Sequence, residues 1–303
     1  MRIFKVAAKV SRIVLLKFRL WCWAINSRIH NTITISTKQG IFTVALGKDE
    51  PIGKALYSKR QFELGLMSST MAFLRSMKMC PPKGQGTIID IGANNGVISV
   101  GMLYAGELEK AIAIEPEPRN FSLLQRNVKQ NGFSDKVICL PRAVSNYNGE
   151  VLFELSDNNF GDHRVRTDSQ VNDSNEKYNE SKRRTVKVKC DRLDDLLAGL
   201  SDDSLLQNIA IVWIDIQGYE GYAFMGARNL LSKGVPVMAE IWPYGIRRAG
   251  MSQEQFCDIA KELWSNYWVM RRGRFIRYPI DTLSILFEEL GYDGDYGNAI
   301  FTQ

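Results

Sequence analysis

Thr87-Ile88-Ile89-Asp90-Ile91-Gly92-Ala93-Asn94-Asn95-Gly96, followed by Ala111-Ile112-Ala113-Ile114-Glu115-Pro116, is the most telling stretch of this 303-residue chain. Each run has the composition of a short buried strand and ends in an acid, and the first passes directly into a glycine turn. In a parallel α/β sheet this pattern builds a nucleoside site at the carboxyl ends of the strands, the second acid following the turn by about 20 residues. The glycine spacing narrows the ligand. A dinucleotide site wants G-x-G-x-x-G, so that a pyrophosphate can approach backbone N–H groups, whereas Gly92 and Gly96 are separated by three residues and Asp90 precedes them. An acid beside the turn repels a pyrophosphate but suits a ligand with a cationic amino-acid end. S-adenosylmethionine has that charge, and Glu115 would then bind its two ribose hydroxyls.

Outward from these strands, apolar runs alternate with helical patterns. Residues 31–46 read as a hairpin and 58–79 as a helix before the Pro81-Pro82-Lys83-Gly84 break. Then come strand 87–91, helix 95–105, strand 111–115, helix 119–131 and strand 137–140. After a polar insert follow strand 185–190, a short helix from Asp191, strand 209–215, helix 219–232, strand 235–241, helix 252–264 and strands near 267–277 and 297–302. The order predicts an α/β, Rossmann-like fold with a mostly parallel central sheet, helices on both faces, and an N-terminal helix and hairpin. The expected units are a basic amphipathic helix (1–28), a hairpin and helix extension (29–84), and a main domain (85–303) carrying the insert 156–184.

Three elements together resemble the FkbM family of methyltransferases. They are Asp90 to Gly96; Glu115-Pro116-Glu117-Pro118-Arg119-Asn120-Phe121 with Leu124, Asn127 and Asn131-Gly132; and Ile214-Asp215-Ile216-Gln217-Gly218-Tyr219-Glu220 with Gly226-Ala227 and Glu240. The first is shared by many methyltransferases; the Asp-x-Gln-Gly-x-Glu element is more specific. The resemblance spans roughly residues 85–243 and implies a class I methyltransferase fold using S-adenosylmethionine. It also implies a sugar, polyketide or other small or glycan-linked acceptor. Where the family often has a lysine two residues before the aspartate, this chain has Trp213, so that lysine's role does not carry over.

On this reading Asp90, Gly92, Asn94, Asn95, Gly96, Glu115 and Pro116 serve the cofactor, with Ala143 and Ser145 where such folds place the adenine edge. Gln217, Glu220, Glu240 and Trp242 are candidates for the acceptor side. Methyl transfer from a sulfonium needs alignment of donor and acceptor and, for a hydroxyl, removal of a proton. His163 is the first candidate base, because imidazole titrates near neutral pH. It lies in Asn158-Asn159-Phe160-Gly161-Asp162-His163-Arg164, near the start of an insert that is otherwise dominated by Asp, Asn, Ser, Lys and Arg and has little to bury. That composition predicts a long surface loop over the site or a disordered excursion. Asp215, ending a strand at the ligand edge, is the second: it could orient the acceptor, act as base, or hold a divalent cation with Glu240. No resident metal is expected.

Charge and cysteine usage bound the rest. Five widely spaced cysteines without a C-x-x-C pair indicate neither a disulfide framework nor a zinc site, which makes a cytoplasmic location the default. The net charge of +6 is concentrated: residues 1–28 carry Arg2, Lys5, Lys9, Arg12, Lys17, Arg19 and Arg28 and no acid, which leaves the remainder near neutral. A near-neutral body gives no support for a nucleic-acid partner. On a helical wheel Arg2, Lys5, Lys9, Arg12 and Arg19 form a stripe, with Trp21 and Trp23 on the wide apolar face; no uncharged run reaches the roughly 20 residues that span a bilayer. The segment reads as a helix packed on the domain or lying on the inner surface of a membrane. The expected activity is O-methylation of a hydroxyl on a sugar, glycan precursor or other small molecule. A small-molecule N-methyltransferase and a non-catalytic nucleotide-binding protein of the same fold are the alternatives; the oligomeric state is not readable.

Overall fold

A computed structural model describes residues 2–47, 50–157, 159–167, 176–200 and 202–303, without the side chains of 2–12 and 203. In chain order the first elements are α1 (Arg2–Ile29), the hairpin β1 (Thr32–Thr37) and β2 (Gly40–Ala45), α2 (Pro51–Lys59) and α3 (Leu64–Ser76). Next come β3 (Thr87–Ile91), α4 (Val97–Tyr104), β4 (Lys110–Ile114), α5 (Pro118–Gln130), β5 (Val137–Leu140), β6 (Ala143–Val144), β7 (Gly149–Leu155) and β8 (Arg164–Arg166). β9 (Arg184–Asp191), α6 (Leu193–Ala198), β10 (Ile209–Ile214), α7 (Glu220–Gly226), α8 (Arg228–Leu231), β11 (Val237–Ile241), α9 (Pro243–Arg248) and α10 (Gln253–Leu263) follow. The chain closes with β12 (Asn266–Arg271), β13 (Arg274–Pro279), α11 (Leu283–Leu290) and β14 (Gly297–Thr302).

The main sheet has the order β13-β12-β14-β11-β10-β3-β4-β5. β5, β4, β3, β10 and β11 run parallel; β14 inserts antiparallel between β11 and β12, and β13 pairs antiparallel with β12 at the edge. The topology reverses between β3 and β10, so the crevice beyond the carboxyl ends of those two strands is where a ligand is expected. Alternation along β3 assigns its side chains to two cores. Ile89 and Ile91 pack with α7, α8 and α10, while Ile88 packs with α3, α4, Trp23 of α1 and Phe42 of the hairpin. The N-terminal extension therefore shares its apolar core with one face of the sheet.

The helix expected over 58–79 is two helices. Glu50 caps α2, accepting the Gly53 N–H at 3.4 Å, and Pro51 occupies the first turn, so the helix begins earlier than anticipated. Arg60 then adopts a left-handed conformation (φ 61°) and ends it. Gln39 Oε1 holds the break by accepting the Phe62 N–H at 2.8 Å. Strands β6, β7 and β8 and helices α9 and α11 also lie outside the sequence-based expectations.

Where it is described the insert is folded, by a buried charge network together with a small apolar cluster to which β8 contributes Val165. A four-stranded sheet of order β6-β9-β7-β8 extends the domain beside the main sheet, and β8 belongs to the insert. Arg164 is 2% exposed and lies among Glu154 (3.6 Å), Asp162 and Glu180 (3.4 Å). Arg183 joins Glu154 and Asp162, Arg166 reaches Glu154 at 3.2 Å, and Tyr244 donates to Glu180 Oε1 at 2.6 Å. The Arg164 guanidinium also sits 4.7 Å over the Trp242 ring. Burying these ions is costly unless all remain paired. Removing one partner leaves the others uncompensated: Arg164→Ala is expected to cost about 3–5 kcal/mol in urea unfolding and to expose the insert to limited proteolysis. A loss below about 1 kcal/mol, the scale of a surface pair, with an unchanged digestion pattern would show that the network does not hold the insert.

Candidate active site

The glycine turn is dictated by how closely β3 and β10 meet. Asp215, just past β10, donates its N–H to Ile91 O at 3.0 Å, and a Cβ on Gly92 would lie 2.0 Å from the Asp215 carbonyl oxygen. Gly92 also has φ +85°, so no larger residue fits. Asn94 follows in a left-handed conformation (φ 50°), which aims its N–H at Glu115 Oε2 (2.8 Å). Glu115 Oε1 accepts the Glu117 N–H at 2.8 Å. This carboxyl is 4% exposed, and burial drives its pKa up to about 8 against those two hydrogen bonds.

Two cavities meet at this crevice. The narrow one, about 40 Å³, is lined by Gly92, Asn94, Glu115, Pro116, Ala143, Phe153, Phe160, His163 and Asp215, among others. The wide one, about 500 Å³, is lined by Glu63, Asp162, Tyr178, Glu240, Trp242 and Tyr296, with Lys177 and Arg183 at its wall. Gly161, Asp215 and Gln217 line both. Asp215 is exposed through the cavity space, although protein surrounds that space on several sides. Gln217, itself left-handed (φ 58°), donates from Nε2 to Asp215 Oδ1 (2.6 Å) and Glu240 Oε2 (3.1 Å), bridging the two acids. Burial raises the Asp215 pKa, opposed by the Gln217 hydrogen bond and assisted by the Asp162 charge. Glu240 is pushed well above the carboxylate range by burial and by its acidic neighbours, and Glu63 to about 7 by burial with Asp215. Among the described residues, no group of three or more His, Cys, Asp and Glu side chains is arranged to hold a metal ion.

The insert forms the roof of the narrow cleft. Asn94 Nδ2 and Asn120 Nδ2 both donate to the Phe160 carbonyl at 2.9 Å, and the Phe160 N–H donates to Glu50 Oε2 at 2.9 Å. Arg119 lies 4.2 Å over the Phe160 ring. The roof is thus tied to the glycine turn, to α5 and to the cap of α2.

Several sequence candidates lie elsewhere than expected. Asp90 does not line either cavity: it projects to the α4 face, where Oδ2 accepts both the Ser99 N–H (3.1 Å) and the Ser99 hydroxyl (2.5 Å). Asn95 and Gly96 lie behind the turn, and Ser145 is fully buried with its hydroxyl 3.2 Å from Tyr219 Oη. Glu220 accepts the N–H groups of Ile216 (3.0 Å) and Gly218 (3.3 Å), shaping the turn that carries Gln217 instead of facing an acceptor. Trp213 pairs in register with Asp90 and is core. His163 lines the cleft, but its Nδ1 accepts the Ser156 N–H at 2.9 Å. Neutral imidazole then carries its proton on Nε2 and has no free lone pair, and burial together with Arg183 pushes its pKa down to about 4. His163 is therefore a hydrogen-bond donor here, and the base assignment is corrected on that ground. Asn158 lies outside the described residues.

Phe160, Asp162 and Asn120 were within reach of sequence reasoning, since they sit in quoted motifs. Glu63, Tyr178 and Tyr296 carry no local signal; only the fold brings them together.

Glu115 makes a testable contribution to stability. Its folded pKa lies above the ordinary 4.5, so the native state holds a proton that the unfolded chain releases, and stability falls as pH rises from about 4.5 to about 8. Glu115→Gln should reduce the slope of ligand-free stability over that interval, measured by urea unfolding at several pH values. An unchanged slope would mean that Glu115 is ionised in the folded protein.

Residues 90–267 match the methyltransferase FkbM domain. A 2-O-methyltransferase, NoeI, of Sinorhizobium fredii is 26% identical over 182 residues, covering 57% of this chain and 71% of that protein. The crystal structure of a methyltransferase FkbM from Methylobacillus flagellatus superposes with a TM-score of 0.40 at 15% identity, over 78% of this chain and 47% of that one, so this chain spans about half of its length. Pyrococcus horikoshii TYW2 in complex with MeSAdo gives 0.41 at 13% identity, over 89% and 70%. The fold follows from the strand order itself: a Rossmann-like class I methyltransferase sheet with the glycine turn and Asp215 at its switch point. With well over half of its residues inside the matched domain, the chain belongs to the FkbM family of S-adenosylmethionine-type methyltransferases.

Proposed function

We propose that this protein methylates a hydroxyl oxygen of a polyhydroxylated acceptor, a sugar or glycan precursor, with the cofactor in the narrow cleft and the acceptor in the wide cavity. The observation that carries the reading is the shared wall: Asp215, Gln217 and Gly161 are the residues lining both spaces. The donor set of the narrow cleft suits a nucleoside. Once ionised, Glu115 keeps one lone pair on each oxygen for a ribose hydroxyl after accepting two backbone N–H groups, and Pro116, Val144 and Phe153 offer apolar surface to a base. Ligand pockets commonly measure about 300–1,000 Å³, so the Phe160 roof must lift for the cofactor to enter.

S-adenosylmethionine supplies an electrophilic methyl group when bound. A hydroxyl acceptor must lose its proton as the new bond forms, and Asp215 is the acidic group that faces both spaces. Gln217 fixes one Asp215 oxygen and leaves the other toward the cavity, while Glu240 and Glu63 provide further acceptors for hydroxyl groups. Trp242, Tyr178 and Tyr296 give the flat apolar walls on which a sugar ring can rest. The relative named as a 2-O-methyltransferase supports oxygen as the acceptor atom. The same acidic lining also suits an amine, the second reading, which product analysis by mass spectrometry and nuclear magnetic resonance separates.

The base assignment has a kinetic signature. Asp215 accepts a proton only when ionised, and its raised pKa places the acid limb of kcat/KM above the ordinary 3.8. Asp215→Asn should lower kcat by roughly 100-fold or more and remove that limb, whereas His163→Gln should retain it with turnover within about 10-fold. A His163→Gln enzyme lacking both turnover and the limb would return the base role to histidine.

A further inference from the structure

Helix α1 has two unlike apolar faces. One packs on the domain: Trp23 is 2% exposed against Tyr57, at 5.7 Å between ring centroids, and Arg19 donates to the Ser58 carbonyl of α2 at 3.1 Å. The other points away. Val14, Phe18, Trp21, Ile25 and Ile29, spaced by four, three, four and four residues, are 61%, 58%, 61%, 36% and 68% exposed. They form one stripe about 22 Å long. The two tryptophans that the wheel grouped on a single face are on opposite sides, one structural and one free. Lys17 and Arg28 are exposed along the edge of the stripe.

We infer that this stripe docks α1 in the plane of an anionic membrane surface. Charge selects that occupant over a second copy of the chain, because residues 1–28 carry seven cations and no acid and two such helices would repel. An apolar face with Trp and Phe flanked by Lys and Arg is the composition of an interfacial helix. Among the described residues, no helix is long and apolar enough to cross a membrane. α2, on which α1 packs, contributes Pro51 and Ile52 to the wall of the wide cavity.

The full-length protein should co-float with vesicles of phosphatidylglycerol and phosphatidylcholine and at least 10-fold less with phosphatidylcholine alone, the difference shrinking as salt rises. Trp21 emission should shift to the blue on binding. A double variant, Phe18→Ser with Trp21→Ser, changes only exposed side chains, so its thermal unfolding should match the parent while flotation falls at least 10-fold. Equal flotation of the double variant overturns the inference. So does an absence of binding to anionic vesicles, including the case in which sedimentation velocity shows a dimer that the double variant dissolves.

Discussion

A buried arginine organises the catalytic side of this protein. Arg164 lies among three carboxylates from separate stretches, Glu154 on β7, Asp162 in the insert and Glu180 near its end, and stacks on Trp242. A composition with almost nothing apolar to bury would leave the insert unfolded if burial were the only driving force. Ion pairing in a low-dielectric interior joins the small apolar cluster around Val165, at the cost that every partner must stay in place. The network fixes the segment that carries Phe160 and His163 over the narrow cleft and orients Asp162 and Trp242 toward the wide one. Through Phe160 it also reaches Asn94 of the glycine turn and Glu50 of the N-terminal extension.

Acidity without compensation is the complementary feature. Glu115, Asp215, Glu240 and Glu63 are all held above ordinary carboxylate pKa values, chiefly by burial. Glu115 and Glu240 are buried and Asp215 and Glu63 face the cavity; holding acids in this way is costly, and such costs are tolerated where a ligand later supplies hydroxyl or cationic partners. The close contact of Gly92 with the Asp215 carbonyl belongs to the same design, because it brings the cofactor turn and the Asp-x-Gln-Gly element to one wall.

Local pattern was enough for the succession of core strands and for the glycine turn, and it singled out Glu115, Pro116 and Asp215, which line the crevice, because buried parallel strands are short apolar runs and their terminal acids stand out. Direction was not readable. Asp90 looks like a ligand-facing acid, yet strand alternation puts it on the α4 face with Ser99; Glu220 looks like a substrate contact, yet it folds back on its own turn. The tautomer of His163 depends on the Ser156 N–H, a contact made only once the insert folds. The insert reads as a loop over the site or a disordered excursion, and neither β8 nor the charge network is legible in it, because long-range charge pairing leaves no periodicity. Glu63 and Tyr296 come to the wide cavity from distant parts of the chain.

The central claim is that one wall, Asp215 with Gln217, separates cofactor from acceptor. A crystal structure with S-adenosylhomocysteine tests it most directly. The account predicts the ribose hydroxyls on Glu115, the Phe160 segment displaced relative to the ligand-free protein, and the sulfur turned toward Asp215 and the wide cavity. A nucleoside bound away from Glu115, or a sulfur facing away from Asp215, would contradict it.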